Sequence, residues 1–108
     1  SEKIKGITLV ASRVAETRPD NLRVMADSIR DRLKSVIVVL ATVYQDNPFF
    51  LCAVTPDLVK KGYHAGNIIK EVTKVAGGGG GGKPDLAQGG GKDKSKIDEA
   101  LRVVGKLV

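Results

Sequence analysis

Nine of the chain's thirteen glycines fall within fifteen residues, Gly77–Gly91, which read GGGGGGKPDLAQGGG. Glycine is a costly residue to order. At a compatible site each one forfeits roughly 0.4–1 kcal/mol relative to alanine, through the entropy of the unfolded chain. Ordering all of them costs about 4–9 kcal/mol, against a domain stability of about 5–15 kcal/mol. Such a segment either stays disordered or has a backbone that needs positive φ or close approach to something else. The residues between the two glycine runs favour order. A flexible linker is Gly/Ser-like throughout, whereas Lys83-Pro84-Asp85-Leu86-Ala87-Gln88 supplies a cation, a fixed φ, a carboxylate, two apolar anchors and an amide. An ordered, ligand-facing loop is the expectation.

At 108 residues the chain is expected to form one globular domain, residues 1–108, large enough for a single core. The net charge is +6, and it is unevenly spread. Between Lys60 and Lys96 there are eight lysines against three acids, so +5 of that excess flanks the glycine segment. A solvated surface is the ordinary reading of a charge excess. Its concentration around a polyglycine segment points instead to an anionic partner, of which nucleic acid is the commonest.

A single cysteine and a single histidine exclude a disulfide framework and a protein-only zinc site. Cys52, in the run Phe50-Leu51-Cys52-Ala53-Val54, reads as a buried small hydrophobe. The longest apolar run, Val36–Val43, is far short of a membrane span, and no signal peptide is visible. Cytoplasm is the expected location, with no membrane partner.

Ile4–Val14 alternates imperfectly and reads as a half-buried first strand. Pro19-Asp20 reads as a turn and N-cap. An amphipathic helix follows, with Leu22, Met25, Ala26, Ile29 and Leu33 inward and a mixed-charge solvent face that includes an Arg23–Asp27 pair. Val36–Tyr44 is β-branched and apolar on both faces, as a central strand is. After a turn at Asp46-Asn47-Pro48, Phe49–Thr55 returns antiparallel. Pro56–Gly62 is a short connection. Gly66–Ala76 is a second helix, stopped by Gly77. Asp93 caps a third, with Ile97, Ala100, Leu101, Val104 and Leu107 inward. The expected class is α/β (α+β): a mixed sheet in the order β-α-β-β-α-(Gly loop)-α, packed by amphipathic helices, with room for a short strand at Leu86–Gln88. The strands bracketing the first helix should be parallel.

Gly77–Lys83 nearly satisfies the phosphate-loop pattern G-x-x-x-x-G-K-[ST] but fails at Pro84. That loop needs a hydroxyl for magnesium and a helix starting there. What survives is an anion-binding concavity of free backbone N–H groups, rimmed by Lys83 and Lys92. Gln88 has the groups to meet a ribose or base edge, or equally its own backbone; Asp85 reads as a turn brace. His64 reads as a cap or packing residue, Tyr63 as an edge-of-core tyrosine, and at most one of Phe49 and Phe50 faces outward. Only four aromatics argue against a base-stacking sheet. No paired carboxylates, Ser/His/Asp set or Cys/His pair shows catalytic spacing. The chain reads as a binder.

The glycine string, preceded by Lys61-Gly62-Tyr63-His64-Ala65-Gly66-Asn67 and the second helix, resembles the C-terminal domain of alanyl-tRNA synthetase. That module is similar in turn to the DHH-associated domain of phosphoesterases and exonucleases. The motif likeness covers roughly Asp57–Val108, and the element order covers the whole chain. The resemblance implies a non-catalytic module that follows aminoacylation and editing domains and binds alanine tRNA at its elbow, so that both active sites work on one tRNA. It carries over His64-Ala65-Gly66 and Gly77–Gly91 as motif positions. The helical segment that usually precedes the module is absent, so a C-terminal fragment of a longer synthetase is expected, with upstream domains as partners and no requirement to oligomerise. No cofactor is expected here; ATP, magnesium and zinc belong to the parent chain by resemblance. The candidate nucleic-acid-binding set is Lys60, Lys61, His64, Gly66, Gly78, Gly79, Gly80, Gly81, Gly82, Lys83, Gln88, Gly89, Gly90, Gly91 and Lys92, with no catalytic and no metal-binding residue. The alternatives are the substrate-binding domain of a DHH-type manganese phosphoesterase or of a free-standing alanyl-tRNA editing protein.

Overall fold

A computed structural model describes residues 2–108. The elements are β1 (Glu2–Ile4), β2 (Ile7–Arg13), α1 (Pro19–Leu33), β3 (Ile37–Tyr44), β4 (Asn47–Val54), α2 (Pro56–Lys60), α3 (Ala65–Val75), β5 (Gly79–Gly82), β6 (Leu86–Gly90) and α4 (Ile97–Leu107), the last preceded by a 3₁₀ turn at Lys94–Lys96. One six-stranded mixed sheet runs β1-β2-β3-β4-β6-β5. Only β2 and β3 are parallel, as the intervening α1 crossover requires.

The order follows from side-chain patterning. Val36–Ala41 is buried without interruption, so β3 sits at the centre with helices on both faces. On one face Ile37, Val39, Phe50 and Cys52 meet Ile68, Ile69 and Val72 of α3 and Ile97, Ala100 and Val104 of α4. On the other, Val38, Leu40, Leu51 and Ala53 meet Leu22 and Ala26 of α1. Gln45 and Asp46, both at positive φ, make the tight turn that returns β3 into β4.

The observed structure departs from the pattern read from sequence in several places. The largest concerns Gly77–Gly91, which is not a loop. It is an antiparallel hairpin, β5–β6, at the edge of the sheet, and the short strand admitted at Leu86–Gln88 is its second arm. The first strand is split by a turn at Lys5-Gly6, both at positive φ. The Pro56–Gly62 connection contains α2. Arg18, not Asp20, occupies the N-cap of α1; Pro19 takes the first helical position, where its missing N–H costs nothing. Asp93 caps the 3₁₀ turn ahead of α4, accepting from the Ser95 N–H at 3.0 Å. Met25, Leu33 and Leu107, assigned inward by helical spacing, are 38%, 39% and 37% exposed. In α1 the reason is coverage: this helix packs mainly on β3 and β4, so only the centre of its apolar stripe is buried.

Candidate nucleic-acid interface

The glycine hairpin exists because α3 lies against it. An ideal methyl on Gly80 would stand 2.5 Å from Gly89 Cα and 3.0 Å from Ile69 Cγ2; one on Gly89 would stand 2.9 Å from Thr73 Cγ2. A side chain at either position would force helix and strands apart. The other face of the hairpin is open along β5, where a methyl on Gly79 would meet nothing within 4 Å.

Backbone hydrogen bonds lock the two ends. At the turn, the Ala65 N–H donates to the Pro84 carbonyl at 2.8 Å and the Gly66 N–H to the Lys83 carbonyl at 3.1 Å. The first amides of α3 are thereby consumed by the hairpin. At the far end, the Gly78 N–H donates to the Thr73 carbonyl, and the Lys92 and Asp93 N–H groups to that of Ala76. Lys83 N–H to Leu86 and Gly91 N–H to Pro48 set the phase of the ladder. Alternation then directs the amides of Gly79 and Gly81 into β6 and those of Gly80 and Gly82 outward. The anion-binding concavity expected from the sequence is therefore not formed, because most of the glycine amides have protein partners.

Around the turn the structure brings together His64 and Gly66 at the start of α3 with Gly82 and Lys83, while Lys60 and Lys61 end α2 a few residues before His64 in the chain. His64 is the N-cap of α3, its Nδ1 accepting from the Asn67 N–H at 3.1 Å. Gly78, Gly79, Gly90, Gly91 and Lys92 lie at the opposite end of the hairpin, with Gly80, Gly81, Gln88 and Gly89 between. Gln88 is exposed on the face that α1 leaves bare. Lys74, Lys94 and Lys96 are in ion pairs with Glu71, Asp46 and Glu99. Among the described residues, Lys60, Lys61, Lys70, Lys83 and Lys92 are in none. Their charge is available to a partner.

Sequence reasoning left Lys70 out of this set. Its stem lies 3.7 Å from the methyl position of Gly81, at the free edge of β5. The i, i+4 spacing from Gly66 signals that placement, once Gly66 is known to touch the hairpin. Tyr44, Asn47 and Phe49, which line a cleft with Gly79, Gly90 and Lys92, were also left out. Cys52 is fully buried, and desolvation pushes its thiol up to about 12, so it is no nucleophile. No group of three or more His, Cys, Asp or Glu able to hold a metal ion occurs among the described residues.

The pattern that describes the DHHA1 domain matches residues 6–108. The chain belongs to the DHHA1 domain family. Its relatives include the alanine–tRNA ligases of two strains of Dehalococcoides mccartyi (BAV1 and CBDB1), 57% identical over 108 residues. The alanine–tRNA ligase of Bacillus cytotoxicus is 47% identical over 105 residues. These matches cover 97–100% of this DHHA1 domain but 12% of each ligase, so the chain spans about an eighth of the curated relatives' length. The crystal structure of the C-Ala domain from Aquifex aeolicus alanyl-tRNA synthetase superposes with a TM-score of 0.89 at 38% identity, covering 98% of this chain and 95% of that one. The DHHA1 sheet and its helices thus have the fold of that C-Ala domain. Among the described residues no helix is long and apolar enough to cross a membrane.

Proposed function

We propose that this DHHA1 domain is the non-catalytic tRNA-binding module of an alanine–tRNA ligase, and that it binds the elbow of alanine tRNA. One observation carries the reading: unpaired Lys70 of α3 and Lys83 of the β5–β6 turn flank a hairpin whose edge strand β5 is glycine throughout and has no side chains to hold a partner away. Lysines without acidic partners release counterions when they meet phosphates, which is the main source of affinity for nucleic acid. An elbow formed by two loops presents a tertiary shape that no duplex has, so selection by shape needs no base-reading code.

A binder without catalytic groups accelerates chemistry elsewhere by raising the effective concentration of bound tRNA at tethered sites. On this reading the domain couples charging and editing on one tRNA molecule. Its partners are that tRNA and the upstream domains, its compartment is the cytoplasm, and any ATP, magnesium or zinc resides upstream. The deciding experiment is deletion of Gly77–Gly91 or of the whole domain from the parent ligase. Activation of alanine with ATP is expected to be unchanged, while kcat/KM for tRNA falls in both charging and removal of mischarged amino acid. A parallel fall in activation would mean that the domain stabilises the catalytic fold instead.

A further inference from the structure

The sheet face that α1 leaves bare ends in an open cleft of about 400 Å³, between the β3–β4 turn and the far end of the glycine hairpin. Tyr44, Asn47, Phe49 and Lys92 wall it, and the backbones of Gly79 and Gly90 floor it. The tight turn at Gln45-Asp46 places Tyr44 opposite Asn47 and Thr42 opposite Phe49. Both rings therefore stand on one face as diagonal neighbours, within reach of each other. Phe49 is opposite Gly90, and Gly90 is opposite Gly79. From the Phe49 ring the surface drops to a shelf of bare peptide, about 10 Å wide at two strand spacings. No carboxylate lines the cleft, and Asp46 beside it is paired with Lys94.

Two rings, a flat floor of peptide planes, an amide at the wall and one free cation suit a planar heteroaromatic ring that carries an anionic group. An aliphatic ligand finds no side chains on that floor to pack against. We propose that the cleft takes an exposed nucleobase, stacked on Tyr44 and Phe49, with the adjoining phosphate toward Lys92. This rests on the tRNA reading and assigns the contact within it. Every base has a π-face, so such a slot selects an accessible base rather than a particular one. The count of four aromatics argued against base stacking; the register of β3 against β4 overcomes that count by putting two of them side by side.

The test compares tRNA affinity of the intact chain with Tyr44→Leu, which removes a ring, and Gly79→Leu, which fills the floor at a position where a methyl meets nothing within 4 Å. Each is expected to weaken binding about tenfold, the scale of one base–aromatic stack. The salt dependence should not change, because no charge is lost, and Tyr44→Phe should retain affinity. In parallel, guanosine 5′-monophosphate titrated into the unmodified chain should shift the ring protons of Tyr44 and Phe49 upfield in NMR spectra. If tRNA binds all folded variants equally and the rings do not shift, the cleft assignment is overturned while the tRNA reading stands. Ring shifts without any tRNA binding by the unmodified chain would support the cleft and overturn the tRNA reading. Should the leucine variants fail to fold, the nucleotide titration decides.

Discussion

A methyl group on Gly66 of α3 would stand 2.6 Å from the carbonyl oxygen of Gly82 on β5, closer than any real methyl approaches an oxygen. The helix and the edge strand are in backbone contact there, and the requirement for glycine is steric. Gly66→Ala and Gly80→Ala are expected to destabilise the domain by about 1–3 kcal/mol, the usual cost of overpacking, even though alanine favours a helix by about 1 kcal/mol. Gly79→Ala, whose methyl meets nothing within 4 Å, should be neutral or slightly stabilising. Urea midpoints of the three variants check this. Equal midpoints would mean that the hairpin moves off α3 without cost.

His64 holds the first turn of α3 through the Asn67 N–H. His64→Ala removes that acceptor and should lower stability by about 1 kcal/mol, the typical worth of a cap. His64→Asn supplies another capping side chain and should recover most of the loss. Thermal unfolding of the pair separates a cap from a residue whose ring matters for itself.

Cys52, with its thiol held up at about 12 by burial, should resist thiol reagents in the folded domain at neutral pH. Labelling is expected to follow urea unfolding, so the rate and the loss of structure should share one midpoint. Fast labelling in the absence of denaturant would show that the β4–β6 seam opens on its own.

Asp57 accepts from Ser35 Oγ at 2.5 Å and Thr55 Oγ1 at 2.6 Å, and these bonds hold its carboxyl below the usual range. A carboxylate lowered by folding stabilises the native state above its unfolded pKa of about 3.9 and loses that contribution as pH falls through the folded value. Asp57→Asn should therefore be less stable than the unmodified chain at neutral pH, and the gap should close progressively in acid below about pH 4. Denaturant titrations at several pH values read the difference directly. A gap independent of pH would assign the effect to packing.

Lys83 lies in the β5–β6 turn without an ion-pair partner among the described residues. Lys83→Ala is expected to weaken tRNA binding and to reduce the slope of log affinity against log salt by about 0.7–0.9, the signature of one phosphate contact. Lys74→Ala, already neutralised by Glu71 at 3.3 Å, should change that slope much less. Equal slopes for the two variants would remove the turn from the RNA interface.

What the sequence made legible were the elements whose side chains carry a period. The unbroken burial of Val36–Ala41 and the Leu22–Ala26–Ile29 stripe needed no structure to be read. The glycine hairpin was opaque for the opposite reason: β5 has no side chains, so it has no alternation, and its pairing is dictated by α3 and β6 rather than by its own residues. Met25 and Leu33 misled because helical spacing shows which face is apolar and not how much sheet lies beneath it. Tyr44 and Phe49 come together only through register, which the length of the turn at Gln45-Asp46 fixes; with the turn expected at Asp46-Asn47-Pro48 and the strand starting two residues later, at Phe49 instead of Asn47, that register is hidden.

The outer neighbour of β4 has a bearing on how the chain assembles. β3 and β4 form through a tight local turn, but the ladder on the far side of β4 waits for β6, which lies beyond two helices and the edge strand. Contacts so distant in sequence form late. Until they do, the stretch Phe49–Ala53 offers a bare edge on a strand apolar on both faces, the kind of surface that recruits other chains. A protein synthesised only as far as the first glycines would therefore expose its most aggregation-prone seam, and β6, the second arm of the glycine hairpin, is what closes it.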